Sequence, residues 1–437
     1  MEVLIIGNGF DLEHDLPTSY KEFLEFCRRV KRIYTYSRES SLDTYVKKNL
    51  DDWEIDTYIK EKLANNFENR SYGKIEKEDG SYYTGVVTPD KILNELFLHI
   101  QDNTWISYFL ECSSRVGENW IDFEKEISNV IQIFDEVRKM TKNGESITDI
   151  QKEKSEILTM LLKASKTSLQ NVFKNIKVLD NFIAFLNTEL DRLIRALEIY
   201  ISGFVAGITV KRKSTDIDHL NPDHILSFNY SDTYKRVYGK EKSSEYSYIH
   251  GKADITQNIS TCNLVLGIDE YLDDTKKDKE LEFLTFKKFY QRVYKSTDNN
   301  YLDWIDEIKA GYREYVEKER TIYAEIVEAI KDGSFSGFPF QDNVYKKLSN
   351  RECPVHTLYI FGHSLDVTDK DILKLFICND NVHTKIFYHR KNCNDKENLG
   401  KLIKNLIQIV GQEELIRRTG GICKTIEFIP QTLGEDL

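Results

Sequence analysis

The chain opens on a short apolar run, Val3-Leu4-Ile5-Ile6, that stops at Gly7-Asn8-Gly9. Consecutive branched residues closed by a Gly-x-Gly step read as a buried strand, residues 2–6, entering a tight turn. A strand with no polar alternation needs cover on both faces. It therefore belongs to a mostly parallel sheet between helices rather than to a half-exposed antiparallel one.

The rest of the chain supplies those layers. A helix is expected from about Ser19 to Val30, and Asp79-Gly80-Ser81 reads as a hairpin turn between Ile75 and Val87. From 91 to 206 apolar residues recur at helical spacing, as in Leu186, Leu190, Leu193 and Leu197. Strand-like runs return at 224–228, 246–250, 263–266, 356–361 and 384–388, with helices over 280–332 between them. The expected organisation is an α/β nucleotide-binding core from 1–90 and 207–437, interrupted by a helical insertion at 91–206.

Charge and cysteine usage narrow the function. The formal net charge of −11 opposes a phosphate backbone, so nucleic acid is an unlikely partner. The basic run Lys211-Arg212-Lys213 reads as a solvated loop. Seven scattered cysteines without a CxxC pair give neither a disulfide framework nor a zinc signature, which suits a reducing cytoplasm. No run is long enough to span a bilayer, so no membrane partner is expected.

Several strand ends carry polar residues. In Gly7-Asn8-Gly9-Phe10-Asp11 the glycines let backbone approach a phosphate, although Leu12 replaces the third glycine of a dinucleotide fingerprint. Leu16-Pro17-Thr18-Ser19-Tyr20 starts a helix and could fold over a ligand, with Thr18 in contact. Ser227-Phe228-Asn229-Tyr230-Ser231 ends a strand; an Asn amide both donates and accepts, which suits a ribose hydroxyl. Ile249-His250-Gly251 places an imidazole, a natural base near neutral pH, beside a residue that leaves room for a ligand. Gly362-His363-Ser364-Leu365-Asp366, with Asp369 following, is another strand-end turn. His363 and Asp366 lack a third ligand at metal spacing, so no metal is expected. Asp122 and Glu124, after Trp120-Ile121, fall on different faces of a helix start, where carboxylates suit the dipole.

Taken in order, Ile-Gly-Asn-Gly-Phe-Asp-Leu, Leu-Pro-Thr-Ser-Tyr, Trp-Ile-Asp-Phe-Glu, Phe-Asn-Tyr-Ser-Asp-Thr, Ile-His-Gly and Phe-Gly-His-Ser-Leu-Asp resemble the AbiH family of bacterial abortive-infection proteins. The segment Phe286–Arg292 resembles that family too, and the likeness runs from residue 2 to about 390. More distantly the series is similar to the sirtuin-like NAD-consuming domains of other phage-defence proteins. This second resemblance implies a sirtuin-like, Rossmann-like sheet with a large helical insertion. It implies NAD as substrate, phosphates at Gly7 and Gly9, and a nicotinamide ribose held by Asn229. His250 would be the base, and Gly362 and Ser364 would flank the adenosine. Asn8, Phe10, Asp11, Thr18, Ser227, Tyr230 and Gly251 complete the expected nucleotide site. Asn8 and Ser231 depart from the usual alanine and aspartate of those domains.

The expected activity is hydrolysis of NAD or a related nucleotide, under control by a phage-derived trigger or by homo-oligomer assembly. The alternatives are a non-catalytic nucleotide sensor and a nucleic-acid toxin working through Asp122, Glu124 or the His363 turn.

Overall fold

The computed structural model describes residues 1–36, 42–77, 79–116, 122–143, 151–239, 243–269, 281–336, 341–342, 344, 346–347, 352–392, 396–421 and 424–432. Its strands are β1 Glu2–Ile6, β2 Ser71–Glu76, β3 Tyr82–Val87, β4 His224–Ser227, β5 Glu245–Tyr248, β6 His356–Phe361, β7 Val382–Tyr388 and β8 Ile426–Pro430. Six of them form one sheet in the order β5-β4-β1-β6-β7-β8, with every neighbouring pair parallel. The other two form the hairpin expected around Gly80, whose φ of +76° meets the turn's need for a left-handed residue.

The sheet order reverses between β1 and β6. In an open parallel sheet the connections there leave in opposite directions, so a crevice opens beyond the carboxyl ends of those two strands. Side chains of β1 alternate between faces, and both faces are buried. Val3 and Ile5 pack with Leu358, Ile360, Leu373 and Leu406 on one side. Leu4 and Ile6 pack with Phe10, Ile225, Tyr234 and Phe361 on the other.

A third hydrophobic cluster is the largest, and it holds the helical layer together. It starts at Leu16, takes in the helix Tyr20–Tyr34 through Phe23, Phe26 and Ile33, runs through the helix Ile176–Gly203 to Ile208, and also takes in Leu264, Leu266, Ile268, Phe283 and Phe286. Residues between Leu16 and Val86 thus share a core with the expected insertion and not with the sheet. The helix Tyr20–Tyr34 turns its apolar stripe to the helices, where Phe26 meets Tyr200 at 4.7 Å between ring centroids.

Two strand expectations change. Residues 263–266 form no strand although 264–266 are buried; their polar groups bond to His250 O and to the Gln291 side chain instead of a sheet edge. The β8 strand, absent from the sequence reading, closes the sheet against β7. Among the described residues no helix is long and apolar enough to cross a membrane.

Candidate functional site

A cleft of about 1260 Å³ lies at the carboxyl ends of the strands. It is walled on one side by the helical layer through Glu124, Leu197 and Ile201. The turn after β1 forms part of its floor. Gly7 N–H donates to Phe361 O at 3.2 Å and Gly9 N–H donates to Gly362 O at 2.8 Å. A Cβ on Gly7 would lie 2.7 Å from His363 Cα, one on Gly9 2.8 Å from Gly362 O, and one on Gly362 2.1 Å from Phe10 N. These glycines therefore let two turns touch backbone to backbone across the switch point. Their amide hydrogens are already engaged, so Gly7 and Gly9 offer a ligand close approach but not the N–H donors expected of them.

Asn8 and Thr18 meet over this floor, Thr18 Oγ1 donating to Asn8 Oδ1 at 2.9 Å. Of Pro17-Thr18-Ser19, Thr18 lines the cleft, and the segment is tied to the helical layer: Tyr200 Oη, on its long helix, donates to Pro17 O at 2.6 Å. Ser19 also caps its helix in a reciprocal pair with Glu22.

After β4 a polar chain faces the first turn. Asn229 Nδ2 donates to Asp11 Oδ2 at 3.1 Å, and Ser231 Oγ donates to the same oxygen at 2.6 Å. Burial pushes the Asp11 carboxyl up to about 6, against the lowering effect of the Ser231 hydroxyl. Asp11 Oδ1 and Asn229 Oδ1 are buried without a donor among the described residues. Both residues line the cleft, so a ligand bearing hydroxyls would satisfy acceptors that the protein leaves open.

The opposite wall is ionic. His250 Nε2 lies 3.4 Å from Asp369 Oδ1, and His363 Nε2 lies 3.5 Å from Asp369 Oδ2. Leu365 N–H donates to His363 Nδ1 at 2.9 Å, which places the proton of neutral His363 on Nε2, toward Asp369. Lys288 Nζ sits between two carboxylates, 2.8 Å from Glu124 and 3.4 Å from Asp369. Burial alone would raise Asp369, but Lys288 and the two imidazoles outweigh it and hold the carboxyl well below the usual range. Burial would likewise lower Lys288, yet its two carboxylates keep it above the ordinary lysine range. One lysine cannot neutralise both acids. Burial and the charge of Asp369 win over Lys288 at Glu124, whose carboxyl is pushed up to about 7. Burial, then the charge of Lys288, depresses His250 despite its Asp369 partner, which favours the neutral imidazole.

Of the residues expected from sequence, Gly7, Asn8, Gly9, Asp11, Thr18, Asn229, Tyr230, His250, Gly362 and Ser364 line this one cleft. Phe10, Ser227 and Gly251 stand behind it. Phe10 is packed among Tyr234, Tyr238 and Phe361. Ser227 Oγ braces the backbone of Asn229. Gly251, at φ +77°, passes so close to Asn263 that a Cβ would lie 2.3 Å from its carbonyl. Asp122 caps the helix Phe123–Asn143 by accepting from Lys125 N, while Glu124 turns to Lys288. Trp120 and Ile121 lie outside the described residues. Sequence reasoning gave no role to Lys288 or Asp369; Lys288 stood only within the Phe286–Arg292 likeness, and Asp369 only as a residue trailing a turn. Among the described residues no group of three or more His, Cys, Asp or Glu is placed to hold a metal ion.

The family model described as "Bacteriophage abortive infection AbiH" matches residues 3–389. No curated protein and no solved structure matches the chain.

Proposed function

The chain belongs to the AbiH family of bacteriophage abortive-infection proteins, and on that premise we propose that its cleft binds a nucleotide and hydrolyses the N-glycosidic bond of NAD or a close relative. The observation that carries this reading is the convergence of Asn229 and the His250–Asp369 pair on one cleft at the switch point of a parallel sheet.

The chemistry divides between the two walls. Asn229 gives its amide hydrogen to Asp11, which turns its oxygen into an acceptor for a ribose hydroxyl. Asp369 takes the Nε2 side of His250 and leaves Nδ1 with its lone pair as the base. His250 draws the proton from a ribose hydroxyl as the bond from C1′ to the pyridinium nitrogen breaks. The bonding electrons leave with neutral nicotinamide, water adds to the oxocarbenium-like carbon and releases one proton, and His250 returns its own proton to the ribose oxygen. The carboxylates of Asp11 and Asp369 favour that cationic carbon in a site shielded from bulk water. Glu124 and Lys288 bring the helical layer into the same charge balance.

The test is NAD consumption by the purified protein beside His250→Ala and Asn229→Ala, with and without extract of phage-infected cells. The reading expects loss of NAD with the unaltered protein and a fall of two orders of magnitude or more, on the order of a missing general base, in His250→Ala. NAD that stays intact under every condition would overturn it.

A further inference from the structure

The cleft does not end at the β1 and β6 turns. It continues over the carboxyl ends of β7 and β8, where Tyr388, Asn398, Lys401, Lys404 and Gln431 line it. Four of these residues lie beyond 389, outside the span matched by the family model.

This end is equipped for a ligand. Gln431 is 6% exposed, and its Oε1 is buried with no donor among the described residues. Its backbone is fixed, Gln431 N–H donating to Tyr388 O at 2.9 Å, which sets the residue just beyond β8 beside the cleft. Lys404 lines the cleft, and no carboxylate pairs with it among the described residues. Lys401 is 2.7 Å from Glu397. The acid of the first turn at this end, Glu13, has His389 Nδ1 at 4.0 Å. The Gly7 and Gly9 amides, which could have met a phosphate, are engaged by β6 and its turn.

We propose that the segment after β7 forms a second subsite, in which Lys404 and Lys401 meet the phosphates of a nucleotide and the Gln431 amide reads an amino-bearing base such as adenine. The inference rests on the reading that the cleft takes a nucleotide, but not on any turnover. A phosphate group needs a cationic partner once backbone donors are occupied. A buried amide oxygen without a donor accepts well from an exocyclic amino group, and Gln is a natural partner for the adenine edge. Hypoxanthine carries a carbonyl at that position and sets acceptor against acceptor.

The experiment is calorimetric titration of the full chain with ADP and with IDP, repeated on Lys404→Glu, Gln431→Leu and Lys74→Glu. ADP is expected to bind, with IDP about tenfold weaker, the loss of one good hydrogen bond. Lys404→Glu, an exposed change, weakens both ligands; Gln431→Leu weakens ADP and removes the preference over IDP. Lys74→Glu, on the hairpin and outside the cleft lining, leaves ADP binding unchanged. Failure of ADP to bind, equal affinity for ADP and IDP in the unaltered protein, or indifference to Lys404→Glu would overturn the subsite. Selective ADP binding in a protein that never consumes NAD would sustain the subsite while removing the hydrolase reading.

Discussion

At the scale of single residues, the site is an arrangement of buried charges that do not cancel. Lys288 lies between Glu124 and Asp369, and its charge helps depress His250. Replacing it by methionine leaves two buried carboxylates without their cation, which costs about 3–5 kcal/mol of stability. It also frees His250 to hold a proton beside Asp369. In the NAD hydrolysis proposed above, the acid limb of the rate against pH should therefore move to higher pH in Lys288→Met, as a pH–rate profile would record; an unmoved limb contradicts the coupling. Asp11 gives a second test. Its carboxyl titrates near 6 in the folded chain against an ordinary 3.8. Between those values the folded state keeps a proton that the unfolded state has released, so stability falls as pH rises from about 4 to 6 and the loss is complete above that. The full effect is roughly 3 kcal/mol at 1.36 kcal/mol for each pH unit. Urea unfolding at pH 4 and pH 7 should show a loss smaller by that amount in Asp11→Asn than in the unaltered protein, the remainder belonging to other raised carboxyls such as Glu124.

At the scale of elements, the contact between the β1 and β6 turns decides the geometry of the cleft. Gly362 has φ +67° and no room for a Cβ; Gly80 has φ +76° and nothing within 4 Å. Gly80→Ala should cost about 1 kcal/mol, the strain of the left-handed backbone alone. Gly362→Ala adds a backbone clash and should cost several-fold more and weaken nucleotide binding. Equal losses of melting temperature for the two variants would show that the turns do not depend on this contact. The elements also mark what was legible in the sequence. The strand 2–6, the Gly80 hairpin and the helix after Ser19 were readable because their signals are local: apolar runs, turn residues and a capping residue. Residues 263–266 have the composition of a strand but find their partners in His250 and Gln291, which no local pattern reveals. The strand β8 was missed because its burial alternates weakly at the sheet edge.

At the scale of the whole molecule, the helical layer is part of the site. It contributes Glu124, Leu197 and Ile201 to the cleft and clamps Pro17 through Tyr200. The motifs Asn229, His250 and Gly362 could be picked out singly because each ends a strand, and strand ends in such sheets carry ligand contacts. Lys288 and Asp369 could not. Their pairing depends on how a helix far from the sheet strands returns to it, and a buried lysine has no sequence signature apart from its partners. The same limit hid the far end of the cleft at Lys404 and Gln431.

The most direct measurement is protection from phage in cells carrying the unaltered protein or His250→Ala, at matched levels of folded protein, with cellular NAD followed through infection. The account predicts that NAD falls during infection only with the unaltered protein, and that plating efficiency of the phage recovers in His250→Ala. Full protection by His250→Ala, with NAD intact in both strains, would contradict it.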